Sequence, residues 1–173
     1  GQSLFPGSGL GEEIGAGAGK GYAVNLPFAP DTEDETYLWA FEEIVPPLVR
    51  AFRPDFLCTQ LGVDTHYLDP LTHLSLTTAA YEQMFAEMRE MAQGRWIAFG
   101  GGGYSLEVVP RAWTLAFGAM LEETLPDTAP GINTLLRDEI GPALTGEKIH
   151  RAREYAARSV AQIKKLIFPY HGL

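Results

Sequence analysis

Two short apolar segments each end in a loop that carries reactive side chains, and this pairing constrains the fold more than any other feature. The first segment, residues 56–61, is followed by Gly62-Val63-Asp64. The second, residues 96–99, is followed by four glycines and then Tyr104. Ligands of open parallel α/β sheets bind at the carboxyl ends of the strands. The sequence therefore predicts a carboxylate and a phenol at one rim, as in a metal or proton-transfer site.

The rest of the chain alternates between strand and helix patterns. Strands are predicted at residues 21–27, 56–61 and 96–99, and helices at residues 33–52, 77–93, 110–123 and 145–168. Pro46-Pro47 should kink or split the first helix. This order predicts an α/β fold with a mainly parallel sheet and covering helices. About three strands are fewer than such a sheet normally has, so the chain is interpreted as half of a sheet.

Composition narrows the possible partners. The chain has 173 residues, enough for one domain with a sizeable core. Its net charge of −9 disfavours binding to nucleic acid, and no apolar run approaches the ~20 residues of a membrane helix. Its single cysteine, Cys58, is predicted to be a small core residue and fits a reducing cytoplasm. We therefore expect a cytoplasmic protein that binds neither nucleic acid nor membrane.

The first loop has two interpretations. Asp64 is either a turn or cap residue, or a metal ligand. Residues i and i+2 share a face only if the strand continues, so Asp64 and His66 could form a local metal pair in that case. A structural His66 is the alternative.

The glycine run Gly100 to Gly103 also has more than one interpretation. Backbone N–H groups in such a turn can hold a phosphate. However, no Lys-Ser or Lys-Thr follows, and the GxGxxG pattern is absent. Tyr104 is either a packed core residue or a phenol that donates a hydrogen bond to a developing oxyanion.

Together, several segments resemble the histone deacetylase superfamily, and within it the bacterial acetoin-utilisation type. They occur in the family's order and roughly its spacing: residues 4–9, 19–27, 54–55, 60–64, 69–71, 76–77 and 100–104. The resemblance implies part of an arginase/deacetylase-like three-layer fold. Residues 1–173 would then be the C-terminal half of one domain, with the motifs in 1–124 and a loop and helix in 125–173. The N-terminal half would be absent.

The resemblance also implies roles for individual residues. Asp64 would bind a catalytic divalent metal, Zn²⁺ or another such as Fe²⁺, and Tyr104 would polarise the acetyl carbonyl. The walls of a tunnel for acetyl-lysine would be Phe5, Leu71, Gly102 and Gly103, and the carbonyl of Tyr22 would bind K⁺. Because the family usually has an aliphatic residue at the position of His66, the resemblance disfavours His66 as a ligand.

The family's remaining metal ligands and its tandem-histidine base lie upstream, and no His-His or Asp-x-Asp-x-His pattern occurs in this sequence. The implied function is hydrolysis of acetyl-lysine in a protein substrate, such as an acetyl-CoA synthetase-like enzyme, by the intact protein. The chain alone is expected to be inactive, and to bind its missing N-terminal half or itself. Two rival functions stay open at this stage: a non-catalytic interaction domain, and a nucleotide binder that uses the glycine loops.

Overall fold

The sheet consists of two parallel strands in a computed structural model that describes residues 7–128 and 135–173. Strand β1 (Leu57–Leu61) pairs with β2 (Trp96–Gly100), and the register runs from Leu57 opposite Trp96 to Leu61 opposite Gly100. Both strands therefore end at the same edge, and the loops that follow them begin side by side.

The described residues form four helices in addition to this sheet: α1 (Asp34–Phe52), α2 (Thr78–Ala92), α3 (Val108–Leu121) and α4 (Gly146–Ile167). Short 3₁₀ turns lie at Gly17–Gly19 and Phe168–His171. Three of these helices have an N-cap residue whose side chain accepts a hydrogen bond from a free backbone N–H group of the first turn. Glu33 caps α1, Thr77 caps α2 and Thr145 caps α4.

The prediction of a strand at residues 21–27 is wrong, and so is the alternative that Pro46-Pro47 splits the first helix in two. Residues 21–27 form no strand, so the described residues contain two strands rather than the three predicted. Helix α1 runs without a break through Pro46-Pro47. The two carbonyls that lose their N–H partners belong to the exposed Glu42 and the half-exposed Glu43, and buried residues along α1 hold the helix in place.

The core has two parts. The larger cluster packs β1, α2 and α3 together with Phe41 of α1, around Leu76, Tyr81 and Phe85. The smaller cluster joins α1 to α4 and contains Ala40, Ile44, Ala156, Val160, Ile163 and Ile167. Helix α1 contributes to both clusters, which fixes α4 relative to the sheet.

One face of the sheet, called the bare face below, is covered by no element in residues 7–128 and 135–173. Leu61 is buried and Thr59 is half-buried, whereas Cys58 and Gln60 are exposed. On β2, Ile97 and Phe99 are exposed, Phe99 by 60%. The prediction of a buried strand with Cys58 in the core is therefore wrong, because Cys58 lies on the face that no described element covers.

Among residues 7–128 and 135–173, no helix combines the length and the apolar character that crossing a bilayer requires.

Candidate active site

Asp64 lies in the turn that follows β1, with its carboxylate half-buried. The Thr72 hydroxyl donates to the Asp64 carbonyl and holds the turn. Burial raises the pKa of the Asp64 carboxyl, and repulsion from Asp69 raises it further, while the backbone amide of Asp64 itself lowers it. A nearby cation would relieve the cost of this partly desolvated negative charge.

The glycines after β2 allow the two loops to touch. A Cβ atom on Gly102 would lie 2.3 Å from Asp64 Oδ2, and one on Gly101 would lie 2.7 Å from the Gly62 nitrogen. The Val63 amide donates to the Gly102 carbonyl at 2.6 Å. These glycines are thus needed for close backbone packing. The carboxylate beside them repels phosphate, which argues against the nucleotide binder.

Asp69 connects the predicted site residues to one another. Its Oδ1 accepts from the backbone amides of Leu71 at 2.9 Å and Thr72 at 3.3 Å, and its Oδ2 accepts from the Tyr104 amide at 2.8 Å. The side chain is buried. Asp69 therefore fixes the backbone of Tyr104 and Leu71 relative to the turn that carries Asp64. This role of Asp69 was not predicted, although the pair Asp69-Pro70 lies only five residues after Asp64 and indicates a second carboxylate in the same loop.

Tyr104 and Leu71 are both exposed, Tyr104 by 53%. The alternative that Tyr104 is a packed core residue is therefore wrong. Gly103 lies against the same turn as Gly102, since a Cβ on it would lie 2.7 Å from a methyl group of Val63. Phe5 lies outside the described residues.

Tyr22 is separate from this group. Its ring contacts Phe52 and His171 edge-on, at centroid distances of 6.0 Å and 5.0 Å. The neighbouring Gly21 carbonyl lies 2.9 Å from His171 Nε2. The structure thus places the predicted K⁺ residue against the C-terminal turn rather than beside Asp64.

A cavity of about 440 Å³ opens onto Asp64. Its walls are Thr65, Thr72 and residues 24–28, with Gly9, Pro30, His73 and Leu74. Tyr104 and Leu71 are not among the described residues that line it. Asp64 is therefore accessible from this cavity, while Tyr104 lies outside it.

His66 is structural. It is fully buried, and both ring nitrogens are used: Nδ1 accepts from the Leu68 amide at 3.2 Å, and Nε2 lies 2.9 Å from Asp138 Oδ2. No group of three or more His, Cys, Asp or Glu side chains in the described parts of the chain could hold a metal ion. Asp64 thus fits one position of a metal site, without a complete ligand set around it.

The chain is similar to proteins of known family. The family model for the histone deacetylase domain matches residues 1–120. The chain is 46% identical over 131 residues to the acetoin utilization protein AcuC of Staphylococcus xylosus, covering 73% of this chain and 34% of the relative. It is 45% identical over 118 residues to AcuC of Bacillus subtilis, covering 65% and 30%. The chain thus spans about a third of the length of these relatives.

The crystal structure of the HDA15 HD domain superposes with a TM-score of 0.77 at 23% identity, over 98% of this chain and 41% of that one. This likeness confirms the predicted deacetylase-like α/β fold. The family model matches more than half of the chain, so the chain belongs to the histone deacetylase family, and AcuC proteins are among its relatives.

Proposed function

We propose that the protein containing this chain is a metal-dependent deacetylase that hydrolyses acetyl-lysine in a protein substrate. One observation carries the proposal: Asp69 ties the Tyr104 backbone to the turn of Asp64, a residue that lines a cavity. The site thus joins a candidate metal ligand to a candidate hydrogen-bond donor. The family match is the second support. The substrate that we favour is an acetyl-CoA synthetase-like enzyme, and the location that we expect is the cytoplasm.

Asp64 would supply one ligand of a divalent ion, Zn²⁺ or Fe²⁺. When bound, such an ion polarises the acetyl carbonyl and lowers the pKa of a water toward ~7. The raised pKa of Asp64 supports this role, because the carboxylate has a charge that a cation would stabilise. The other ligands and the general base would come from the rest of the domain, since relatives extend far beyond the matched third.

Tyr104 would donate its phenolic hydrogen to the acetyl oxygen as that oxygen gains negative charge. Its exposed side chain leaves the hydroxyl free to turn toward a substrate, while Asp69 holds its backbone. We propose Phe5, Leu71, Gly102 and Gly103 as walls of the acetyl-lysine tunnel and the Tyr22 carbonyl as a K⁺ ligand. The exposure of Leu71 is compatible with a tunnel mouth.

We further propose that the chain is the C-terminal half of one domain and is inactive alone. Ile97 and Phe99 are exposed on the bare sheet face, and Phe117 is exposed on α3. Apolar groups of this size are normally covered. The N-terminal half of the domain is the partner that we propose, and self-association would cover the same face when that half is missing.

The test is release of acetate from an acetyl-lysine peptide by the complete protein with Zn²⁺ added. Tyr104→Phe removes one hydroxyl and little volume, so we expect kcat to fall at least about a hundredfold while the thermal midpoint is unchanged. Asp64→Asn should lower the affinity for zinc, and excess metal should restore part of the activity. Full turnover in Tyr104→Phe would refute its role. Failure of the metal-loaded parent to release acetate would instead favour a non-catalytic interaction domain.

A further inference from the structure

The turn that carries Asp64 and Asp69 is built around the side chain of His66. The His66 amide donates to the Val63 carbonyl at 3.3 Å, and the Asp69 amide donates to the His66 carbonyl at 2.9 Å. The ring adds the bond from the Leu68 amide to Nδ1. Because Nδ1 accepts this bond, the ring proton is on Nε2, which donates to Asp138. The orientation of the ring thus depends on an acceptor outside the turn.

Asp138 is that acceptor, and its carboxylate is only 6% exposed. Oδ2 accepts from His66 Nε2 at 2.9 Å and from the Thr78 amide at the start of α2 at 2.8 Å. Oδ1 accepts from Arg111 Nη2 of α3 at 2.7 Å. The Asp138 amide in turn donates to the Thr78 hydroxyl at 2.8 Å. One buried carboxylate thus joins the turn to two helices.

The charges in this cluster favour a fixed arrangement. Arg111 is buried beside Asp138 and compensates its negative charge, so the pair can remain charged inside the fold. Burial alone would raise the pKa of Asp138, but the bonds from His66, the Thr78 amide and Arg111 outweigh it and lower the pKa. An ionised acceptor makes stronger hydrogen bonds than a neutral one.

We propose that Asp138 is a positioning residue that holds His66 and thereby fixes the turn on which Asp64 and Asp69 lie. Asp138 lies beyond residue 120, where the match to the family model ends. A residue of the C-terminal segment would therefore support the site through His66 rather than by lining it. The consequence for metal binding and catalysis rests on the proposed function, whereas the consequence for the turn itself does not.

The test uses the complete protein and four variants: Asp138→Ala, His66→Leu, the double variant, and Asp127→Ala as a control. Asp127 lies in the same connecting segment, and its carboxylate accepts from the Arg137 side chain and from the Arg137 amide, next to Asp138 but not in the turn. Amide exchange of residues 64–69 and of Tyr104 is measured by mass spectrometry, with α4 as the internal reference. Zinc affinity is measured by competition with a chelator.

Asp138→Ala should speed amide exchange in the turn at least about tenfold while α4 keeps its protection. It should also weaken zinc binding about 10- to 100-fold, the range for groups that orient metal ligands. His66→Leu should have a similar effect, and the double variant should be no worse than either single one. Asp127→Ala should change neither quantity. If Asp138→Ala does not fold, His66→Leu examines the same bond with an apolar side chain suited to a buried position.

Unchanged exchange in residues 64–69 of either single variant would overturn the proposal. Additive effects in the double variant would also overturn it, because Asp138 would then act through Arg111 or Thr78 and not through His66. A parent protein that binds no zinc and releases no acetate would refute the proposed function, and the exchange data would still decide the role of Asp138.

Discussion

Gly102→Ala is the sharpest perturbation that the site offers, because it adds one methyl group directly against Asp64. The new Cβ atom would lie 2.3 Å from Oδ2 and 2.9 Å from Cγ of Asp64, where ordinary contacts begin at 3.4 Å. The carboxylate would have to move by about 1 Å to remove the overlap with Oδ2. Asp64 is half-buried and faces a cavity, so it has space to move.

The displacement should cost far more in function than in stability. Metal–ligand distances are held to within about ±0.2 Å, so a shift of about 1 Å removes Asp64 from a productive position. We expect zinc affinity to fall at least about tenfold and deacetylation at limiting zinc to fall with it. Overpacking at a site that can relax should lower the free energy of unfolding by only about 1 kcal/mol.

The assay combines chelator competition for zinc, acetate release from an acetyl-lysine peptide and urea unfolding, all on the complete protein. Gly146→Ala is the matched control, because a Cβ atom there meets nothing within 4 Å at the start of α4. It should leave all three quantities unchanged or slightly raise stability. Normal zinc affinity in Gly102→Ala, with folding intact, would refute the argument that Gly102 keeps space for a metal-binding carboxylate.

Three further predictions follow from the contacts. Asp69→Asn turns one acceptor oxygen into a donor and leaves at least one buried N–H unpaired, so urea unfolding should show a loss of about 1–3 kcal/mol; in contrast, Asp127→Asn, which breaks an exposed pair, should cost ~0–1 kcal/mol. Because its pKa is lowered on folding, Asp138 stabilises the fold above the unfolded pKa of ~3.9 and progressively less as pH falls below it; Asp138→Ala should therefore reduce the difference in stability between pH 6 and pH 3, and an unchanged difference would contradict this. The isolated chain should self-associate in light scattering, and Phe99→Glu on the bare sheet face should reduce association; a monomeric parent chain would count against an uncovered face.

The local signals in the sequence were sufficient for most of the helices. Thr77 and Thr145 cap α2 and α4 at the starts predicted for the helices at 77–93 and 145–168, because a capping hydroxyl next to an apolar repeat is encoded within a few residues. The prediction of a strand at residues 21–27 was wrong because a short strand cannot be identified from its own residues alone. Their apolar and β-branched residues fit a strand, but a strand also needs a partner, and its presence depends on the rest of the fold.

The edge of the sheet at which Asp64 and the glycine run meet was predictable, whereas the side-chain hydrogen bonds that support it were not. Two parallel strands in register had to end together, so Asp64 and the glycine run came to one edge. The bond from His66 to Asp138 spans 72 residues, and no periodicity or spacing indicates it. Cys58 shows the opposite difficulty: its apolar neighbours suggested the core, but the face on which it lies has no covering element among the described residues.

The two carboxylates of the turn differ in environment, and this difference separates their roles. Asp69 is buried and accepts three backbone N–H bonds, so its charge is satisfied within the fold and its geometry is fixed. In residues 7–128 and 135–173, no donor from another residue reaches the Asp64 carboxylate, whose pKa is raised by burial and by Asp69. An anion that is partly desolvated and open to a cavity is stabilised most by a cation. The same turn therefore supplies a rigid support in Asp69, and in Asp64 the side chain that we propose as a metal ligand.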